Sequence, residues 1–284
     1  MSHETIEVRP LSGALGAEIG GVDLTKIGDN RTWEEIDRAF AENVVLVFRD
    51  QRFTADDLMA VGGRFGEPSI YPFVQGLPDH PHIFEIVKEP TDKVNFGGNW
   101  HSDTTYLERP PLATLLYAKE TPTHGGDTLF ANMYAAYDSL SDGLKDTLQR
   151  LRGVNNAALK HYAGGRAAYH ANIAKMTITD AQSANEVEAV HPVVRTHPVT
   201  GRKALYINRS HTIRFDGWTE AESKPLIDFL AAHATRPEFT CRVRWSPGTL
   251  TVWDNRCAQH LAINDYHGQR RVMQRLTVGP QVPQ

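Results

Sequence analysis

Cysteine is scarce in this chain, and no long apolar run is present. Only two of the 284 residues are cysteine, too few for the disulfide framework of a small secreted protein. No run of about 18 apolar residues occurs, so the sequence predicts no transmembrane helix. The first residues lack the apolar centre of a secretory signal, and we therefore expect a cytoplasmic protein.

Positive charge is not in excess either. The 30 Lys and Arg residues are outnumbered by 34 Asp and Glu residues, which gives a formal net charge of −4. Such a chain does not have the basic character of proteins that bind nucleic acid or anionic lipid. Histidine, in contrast, is abundant, with 13 residues, and this raises the expectation of a metal site.

Short strand patterns dominate the chain from Pro111 onward. β-Branched and aromatic stretches alternate with turn signals such as Pro247-Gly248. The predicted strands in this part are Leu112–Ala118, Asp127–Asn132, Val190–Thr196, Ala204–Asn208, Cys241–Trp245, Thr249–Trp253 and Arg271–Val278. An earlier apolar run, Val44–Phe48, has the pattern of a buried strand.

Helical patterns interrupt these strands instead of alternating with them. They cover Trp33–Asn43, Ala55–Phe65, Ala135–Leu151 and Glu220–Ala234. We therefore expect one α+β domain over residues 1–284, mainly β, built around an antiparallel sandwich or barrel. Residues 160–187 have little strand pattern and are predicted to form an excursion or lid.

The first chemical motif is His101-Ser102-Asp103. In an extended segment, residues two apart point to the same side, so the imidazole and the carboxylate can share one metal ion. Chance alone produces such a triplet in a chain so rich in histidine and acidic residues, and a polar surface turn remains the alternative.

A third ligand follows a predicted strand far downstream. The segment Trp253–Gln259 leads from that strand through a polar turn to His260. Two histidines and one carboxylate form a facial triad, which suits ferrous iron and leaves positions open for a co-substrate and O₂. A structural zinc site would fill all four positions. Two alternatives of another class remain: a zinc-type metal hydrolase and a non-catalytic protein that binds small acids.

Two arginines share one face of the last predicted strand. Arg271 and Arg275 alternate with Val272 and Gln274, and burying them would be costly without anionic partners. A guanidinium is a natural clamp for a carboxylate, such as the distal carboxylate of 2-oxoglutarate. The alternative is an exposed edge strand with solvated arginines.

These motifs, in this order, resemble the taurine/2,4-dichlorophenoxyacetate dioxygenase (TauD/TfdA) family from about Val8 to Val278. The resemblance is carried by Asn99-Trp100-His101-Ser102-Asp103, Gly125-Gly126-Asp127-Thr128, His191-Pro192-Val193-Val194-Arg195-Thr196-His197-Pro198 and Trp253-Asp254-Asn255-Arg256 followed by His260, Arg271 and Arg275. It implies a distorted double-stranded β-helix, or jelly roll, with Fe(II) bound by His101, Asp103 and His260. It further implies that Thr128 and Arg271 hold 2-oxoglutarate, with Asn99 beside it, and that Arg275 faces the acidic group of the substrate.

The implied reaction is the hydroxylation of a small anionic substrate, with Fe(II), 2-oxoglutarate and O₂ yielding succinate and CO₂. Taurine enzymes of the family have a histidine where this chain has Tyr71, and an asparagine where it has Gly97. The resemblance therefore favours an aryloxyalkanoate or a sulfonate over taurine itself, with taurine or an alkyl sulfate as the alternative. Family members often form dimers or tetramers, which makes a homo-oligomer the expectation.

Several other conspicuous residues are expected to be structural. His191 and His197 precede prolines, and Cys257 is predicted to be a buried, unreactive thiol. The tryptophans Trp100, Trp245 and Trp253 are assigned to the core. Four residues of the predicted lid are candidates for contact with the substrate, because binding residues concentrate on loops, and a role outside the substrate site is the alternative; they are His161, Tyr162, Tyr169 and His170.

Overall fold

A computed structural model describes residues 3–159, 165, 169, 177 and 187–284. Most of the predicted lid at 160–187, including His161, Tyr162 and His170, therefore lies outside the described residues. None of the helices that are described is both long and apolar enough to cross a membrane.

Strands outnumber helices in the described residues. The strands are β1 Glu7–Pro10, β2 Ala17–Gly20, β3 Val45–Phe48, β4 Pro68–Ser69, β5 Ile83–Lys88, β6 Pro111–Glu120, β7 Thr128–Asn132, β8 Arg152–Asn156, β9 Glu188–Pro192, β10 Val194–Thr196, β11 Lys203–Leu205, β12 Thr212–Phe215, β13 Thr240–Val243, β14 Leu250–Asp254, β15 Ala258–Ala262 and β16 Arg271–Pro280. The α-helices are α1 Asn30–Asn43, α2 Ala55–Phe65, α3 Met133–Asp138, α4 Asp142–Leu148 and α5 Glu220–Ala234. The expectation of an α+β chain with mainly β structure is confirmed.

One large sheet organises the molecule. Its strand order is β1-β2-β3-β14-β6-β16-β4, and β5 also pairs with β16. All of its pairings are antiparallel except β2 with β3. Alternate residues face opposite sides: Leu115 packs into the core beneath α1 and α2, whereas Leu116 belongs to the core on the other side. The sheet therefore separates a helical layer from the interior that holds the polar site.

Helix α2 lies directly against the last strand. Thr54 caps it in a reciprocal capping box with Asp57, and the helix ends before Gly66, as its sequence predicts. A Cβ atom on Gly62 would lie 2.3 Å from Leu276 Cδ2, so any larger residue would require the Leu276 side chain to shift. The contact fixes the outer face of β16 and thereby directs Arg271, Met273 and Arg275 inward.

The inner wall opposite the large sheet is a three-stranded sheet with the order β13-β7-β15. Strand β7 carries Thr128, and β15 carries His260. Two further sheets, β12-β8-β9 and β10-β11, extend this side. The site thus lies between two antiparallel layers.

Two secondary-structure predictions were wrong in detail. The single helix expected over Ala135–Leu151 is two short helices, α3 and α4, because the chain turns at Ser139 and Ser141 becomes the N-cap of α4. The strand expected over Val190–Thr196 is divided into β9 and β10 at Val193. Five strands carried no recognised signal, namely β4, β5, β8, β12 and β15.

Candidate active site

A two-residue backbone bridge brings the two distant histidines together. The His101 amide donates to the His260 carbonyl at 3.1 Å, and the His260 amide donates to the His101 carbonyl at 2.8 Å. Because residues paired in this way project to the same side of the bridge, the two imidazole centroids lie 4.2 Å apart. The pairing joins the segment that carries His101 to β15 beside His260, so that both histidines are close enough to share one metal ion.

The Asp103 carboxylate completes this group. Its Oδ1 lies 3.5 Å from His101 Nε2 and 3.7 Å from His260 Nε2, too far for hydrogen bonds. Its Oδ2 accepts a hydrogen bond of 2.6 Å from the Thr114 hydroxyl on β6. One potential ligand atom from each of the three residues lies within 4.8 Å of the other two.

The protonation states suit a cation. Burial, reinforced by the neighbouring His101, holds the pKa of His260 well below its usual value, so this imidazole is neutral. Burial acts to raise the pKa of Asp103, but the Arg275 charge, together with the two nearby histidines, overcomes it and holds that pKa well below its usual value. The His101 Nδ1 atom lies 2.7 Å from the Asn99 carbonyl and donates to it, so the other ring nitrogen, Nε2, is the one that faces Asp103. Two imidazoles and one carboxylate are a donor set that fits ferrous iron.

Arg275 lies beside this group and is enclosed by aromatic rings. Its Nη2 is 2.6 Å from Asp103 Oδ1, an ion pair whose N–H direction does not meet the geometry of a hydrogen bond. The guanidinium lies 5.6 Å from the ring centre of Tyr71, 5.5 Å from Phe84 and 5.9 Å from Phe96. These contacts hold the cation by cation–π attraction and leave donor capacity for an anion.

A second pocket lies along β16 towards Arg271. Thr128 and His260 line it together with both arginines. The Thr128 hydroxyl accepts a hydrogen bond of 3.0 Å from Trp245 Nε1, and the Arg271 guanidinium lies 5.6 Å from the same indole ring. Arg271 Nε and Nη2 are buried without hydrogen-bond partners among the described residues. The pocket therefore offers a cation and a hydroxyl to a carboxylate.

The pocket in front of Arg275 is wider, and the remaining predicted site residues lie there. Tyr71, Gly97 and Asn99 line it. Asn99 is exposed and is not among the residues that line the Arg271 pocket; its observed contribution is the carbonyl that orients His101. Gly97 has a φ of 79°, a conformation that disfavours any side chain, and its amide donates to the Tyr169 hydroxyl at 2.7 Å.

Sequence reasoning missed several residues that shape the site. Thr114 holds Asp103, and the Asn255 amide in turn donates to the Thr114 hydroxyl at 2.8 Å. Trp245, assigned to the core, contacts both Thr128 and Arg271. His211 lines the wider pocket, with its ring 4.9 Å from that of Tyr106. No local motif marks these residues, because strand pairing and tertiary packing bring them to the site.

A second cluster, His197, Asp254 and Cys257, also has the composition of a metal site. Both His197 nitrogens are already engaged, however: Nε2 lies 3.0 Å from Asp254 Oδ2, and Nδ1 accepts from the Val199 and Thr200 amides. Burial and the nearby Asp254 charge raise the pKa of Cys257 well above its usual value. These residues hold the turn before His260 and match the structural role expected of them.

Comparison with known proteins decides the family. The model of the "Taurine catabolism dioxygenase TauD, TfdA family" matches residues 7–277. The chain belongs to the TauD/TfdA family. It is accordingly a 2-oxoglutarate-dependent non-haem iron dioxygenase that uses Fe(II), 2-oxoglutarate and O₂.

Relatives in the TauD/TfdA family differ in the substrates that their names print. The chain is 33% identical to an alpha-ketoglutarate-dependent sulfate ester dioxygenase of Pseudomonas putida, over 98% of this chain and 91% of that one. It is 31% identical to the (S)-phenoxypropionate/alpha-ketoglutarate-dioxygenase of Sphingobium herbicidovorans, over 94% and 92%. The structure of a taurine dioxygenase from Burkholderia xenovorans matches with a TM-score of 0.82 at 34% identity, over 99% of this chain and 93% of that one.

Proposed function

We propose that this dioxygenase hydroxylates a small organic anion with an apolar body, of the sulfonate, sulfate ester or aryloxyalkanoate type. In this proposal His101, Asp103 and His260 hold Fe(II), while Arg271 and Thr128 hold 2-oxoglutarate. The observation that carries it is the position of Arg275, a buried cation beside the three potential ligands and inside a ring of aromatic side chains.

The metal centre needs two neutral imidazoles and one ionised carboxylate. When bound, Fe(II) together with 2-oxoglutarate and O₂ supplies the oxidation of a substrate C–H bond, with release of succinate and CO₂. The protein holds the three ligands in position through the Asn99 carbonyl on His101 and the Thr114 hydroxyl on Asp103. Such supporting contacts orient ligands and sustain metal affinity.

The co-substrate needs a clamp for its distal carboxylate. Arg271 supports this role because it is buried, faces the pocket that His260 also lines, and has two nitrogen atoms without described partners. Thr128 adds a hydroxyl whose orientation Trp245 fixes. A cation and a hydroxyl at one end give a dicarboxylate a single orientation, with its 2-oxo end towards the metal.

The wider pocket supports an anion with an apolar body. Its described lining contains the rings of Tyr71, Phe96, Tyr106 and Tyr169, and such surfaces favour hydrocarbon or aryl groups. Asp103 is the one carboxylate among the described lining residues, and its role at the metal is already assigned. The ammonium group of taurine would thus have no acidic partner among the described residues, so taurine remains the weaker alternative within the family.

The proposal has two further parts that follow from the same reasoning. We infer that the large sheet and the β13-β7-β15 sheet form the two walls of a distorted double-stranded β-helix, with the site between them. We also infer a cytoplasmic location, because a reducing compartment keeps iron ferrous and suits a chain with few cysteines.

A substrate panel tests the proposal directly. Succinate formation and O₂ consumption would be measured with Fe(II) and 2-oxoglutarate against hexyl sulfate, butanesulfonate, phenoxyacetate and taurine. We expect turnover with at least one apolar-bodied anion and weaker turnover with taurine. Turnover of taurine alone would overturn the substrate class, and substrate-dependent activity without 2-oxoglutarate would overturn the mechanism.

Arg275→Ala tests the residue that carries the proposal. Loss of a buried charge-assisted contact costs about 1.5–3 kcal/mol, so the KM of the substrate should rise roughly 10- to 100-fold. The matched control is Arg270→Ala, because Arg270 precedes the same strand, is more exposed and pairs with Glu89 and Glu120 instead. An unchanged substrate KM in Arg275→Ala would remove Arg275 from the substrate site.

A further inference from the structure

A buried lysine lies next to the proposed co-substrate clamp. Lys88, the last residue of β5, is only 3% exposed. Its ammonium group has no hydrogen-bond partner among the described residues. Lysine is almost never buried to this extent unless it is paired. The missing partner of this ammonium group is therefore expected to come from outside the described residues.

Strand pairing directs Lys88 towards Arg271. The two residues are directly opposite each other in the antiparallel pair of β5 and β16. In the same register Ile86 is opposite Met273, and Ile86 lines the pocket of Arg271. Because alternate residues share a face, Lys88 projects to the same side of the sheet as Ile86 and Arg271.

Two like charges that face each other across neighbouring strands destabilise a sheet. Here both are buried, and both have nitrogen atoms without described hydrogen-bond partners. The acidic group near Arg271 is Asp127, which Arg242 already binds at 2.6 Å. Asp92 is the acidic group whose charge acts on Lys88, but it makes no hydrogen bond to the ammonium group. The unoccupied donors of the two cations are therefore available to an anion from outside the chain.

Tyr266 connects the two cations. The Lys88 Nζ atom lies 4.1 Å from the centre of the Tyr266 ring, and the Arg271 guanidinium lies 6.0 Å from the same centre. The Tyr266 ring therefore lies close to both cations. The face of this ring attracts the ammonium group and so holds Lys88 beside the guanidinium.

We propose that Lys88 is a second cation for the distal carboxylate of 2-oxoglutarate, acting together with Arg271. The inference rests on the proposed role of Arg271. Its consequence is selectivity: two cations at the far end of the pocket favour a dicarboxylate over a 2-oxo acid that ends in a methyl group. Burial lowers the pKa of Lys88; the Asp92 charge opposes this and the Arg271 charge adds to it. A bound carboxylate would act in the same direction as Asp92.

Calorimetric titration tests this inference without turnover. The protein would be loaded with Mn(II) and titrated with 2-oxoglutarate and with 2-oxopentanoate, which has the same chain length but no distal carboxylate. For Lys88→Met we expect the Kd of 2-oxoglutarate to rise roughly 10- to 100-fold, the weight of one charge-assisted contact. The Kd of 2-oxopentanoate should change less than about twofold, because methionine keeps the stem but removes the charge.

Controls separate this role from a structural one. Lys119→Met removes a more exposed lysine from neighbouring β6 and should leave both Kd values unchanged, and Lys88→Arg should retain most of the affinity for 2-oxoglutarate. Equal weakening of both ligands, or no weakening of either, would overturn the proposal. If Lys88→Met does not fold, Lys88→Gln carries the same comparison.

Arg271→Ala distinguishes failure of this inference from failure of the proposed function. If it weakens 2-oxoglutarate binding while Lys88→Met does not, the clamp stands and Lys88 has no part in it. If neither variant weakens binding, the assignment of this pocket to 2-oxoglutarate is itself wrong.

Discussion

Replacing Thr114 by valine should weaken metal binding without touching any of the three ligands. The Thr114 hydroxyl donates to Asp103 Oδ2 at 2.6 Å and accepts from the Asn255 amide at 2.8 Å. Valine has nearly the same shape but leaves both buried groups without this partner, each at a cost of about 1–3 kcal/mol. We expect the free energy of unfolding of the metal-free protein to fall by about 2–6 kcal/mol.

The same change should reduce metal affinity about 10- to 100-fold, the usual effect of losing a group that orients a ligand. Denaturant unfolding in the presence of a chelator measures the first quantity, and anaerobic titration with Fe(II) or Mn(II) measures the second. Thr251→Val is the matched control, because Thr251 is buried on β14 with a hydroxyl that has no hydrogen-bond partner among the described residues. The control should be neutral or stabilising by up to about 1 kcal/mol. Equal metal affinity in the Thr114→Val variant and the unmodified protein would refute this account of how Asp103 is held.

Two further predictions concern the fold around the site. Although burial opposes it, hydrogen bonds from Arg256 and His197 lower the pKa of Asp254 to about 2. The ionised carboxylate therefore stabilises the fold at pH values above the pKa of the unfolded chain. This contribution to the free energy of unfolding, about 2 kcal/mol, should be lost as the pH falls from about 4 towards 2. Urea unfolding at several pH values should show that loss in the unmodified protein and a weaker dependence of the free energy of unfolding on pH in Asp254→Asn. The same pH dependence in both proteins would contradict the stabilising role of ionised Asp254. Gly97→Ala should lower the free energy of unfolding by about 1–3 kcal/mol, because a φ of 79° is strained for any residue with a side chain. A steric clash is not the cause, since the atom nearest to an added Cβ, His101 Cε1, is 3.4 Å away. Gly13→Ala, where nothing lies within 4 Å, is the control in thermal unfolding, and equal changes in the two variants would count against backbone strain.

The sequence correctly predicted features that depend on residues close together in the chain, such as helix ends and the two faces of a strand. The predicted bounds of α2, Ala55–Phe65, were correct, because a helix end is determined by residues within one turn of it, here Thr54 and Gly66. The alternation along β16 correctly separated Arg271 and Arg275 from Leu276, because side chains in any strand alternate between two faces. Strands such as β15 have few β-branched residues and therefore gave no such signal. They form because of pairing with strands distant in sequence, which no local pattern predicts.

The sequence by itself predicted the chemical groups of the candidate site: two histidines, one aspartate, two arginines and a threonine, in the order typical of the TauD/TfdA family. Only the tertiary structure determined how these groups are held, through the backbone bridge between His101 and His260 and the Thr114 contact with Asp103. It also brought Lys88 beside Arg271, a juxtaposition that follows from the register of β5 on β16. The physical reason is that residue type fixes what a side chain can bind, whereas its partners depend on long-range strand pairing, which no local segment encodes.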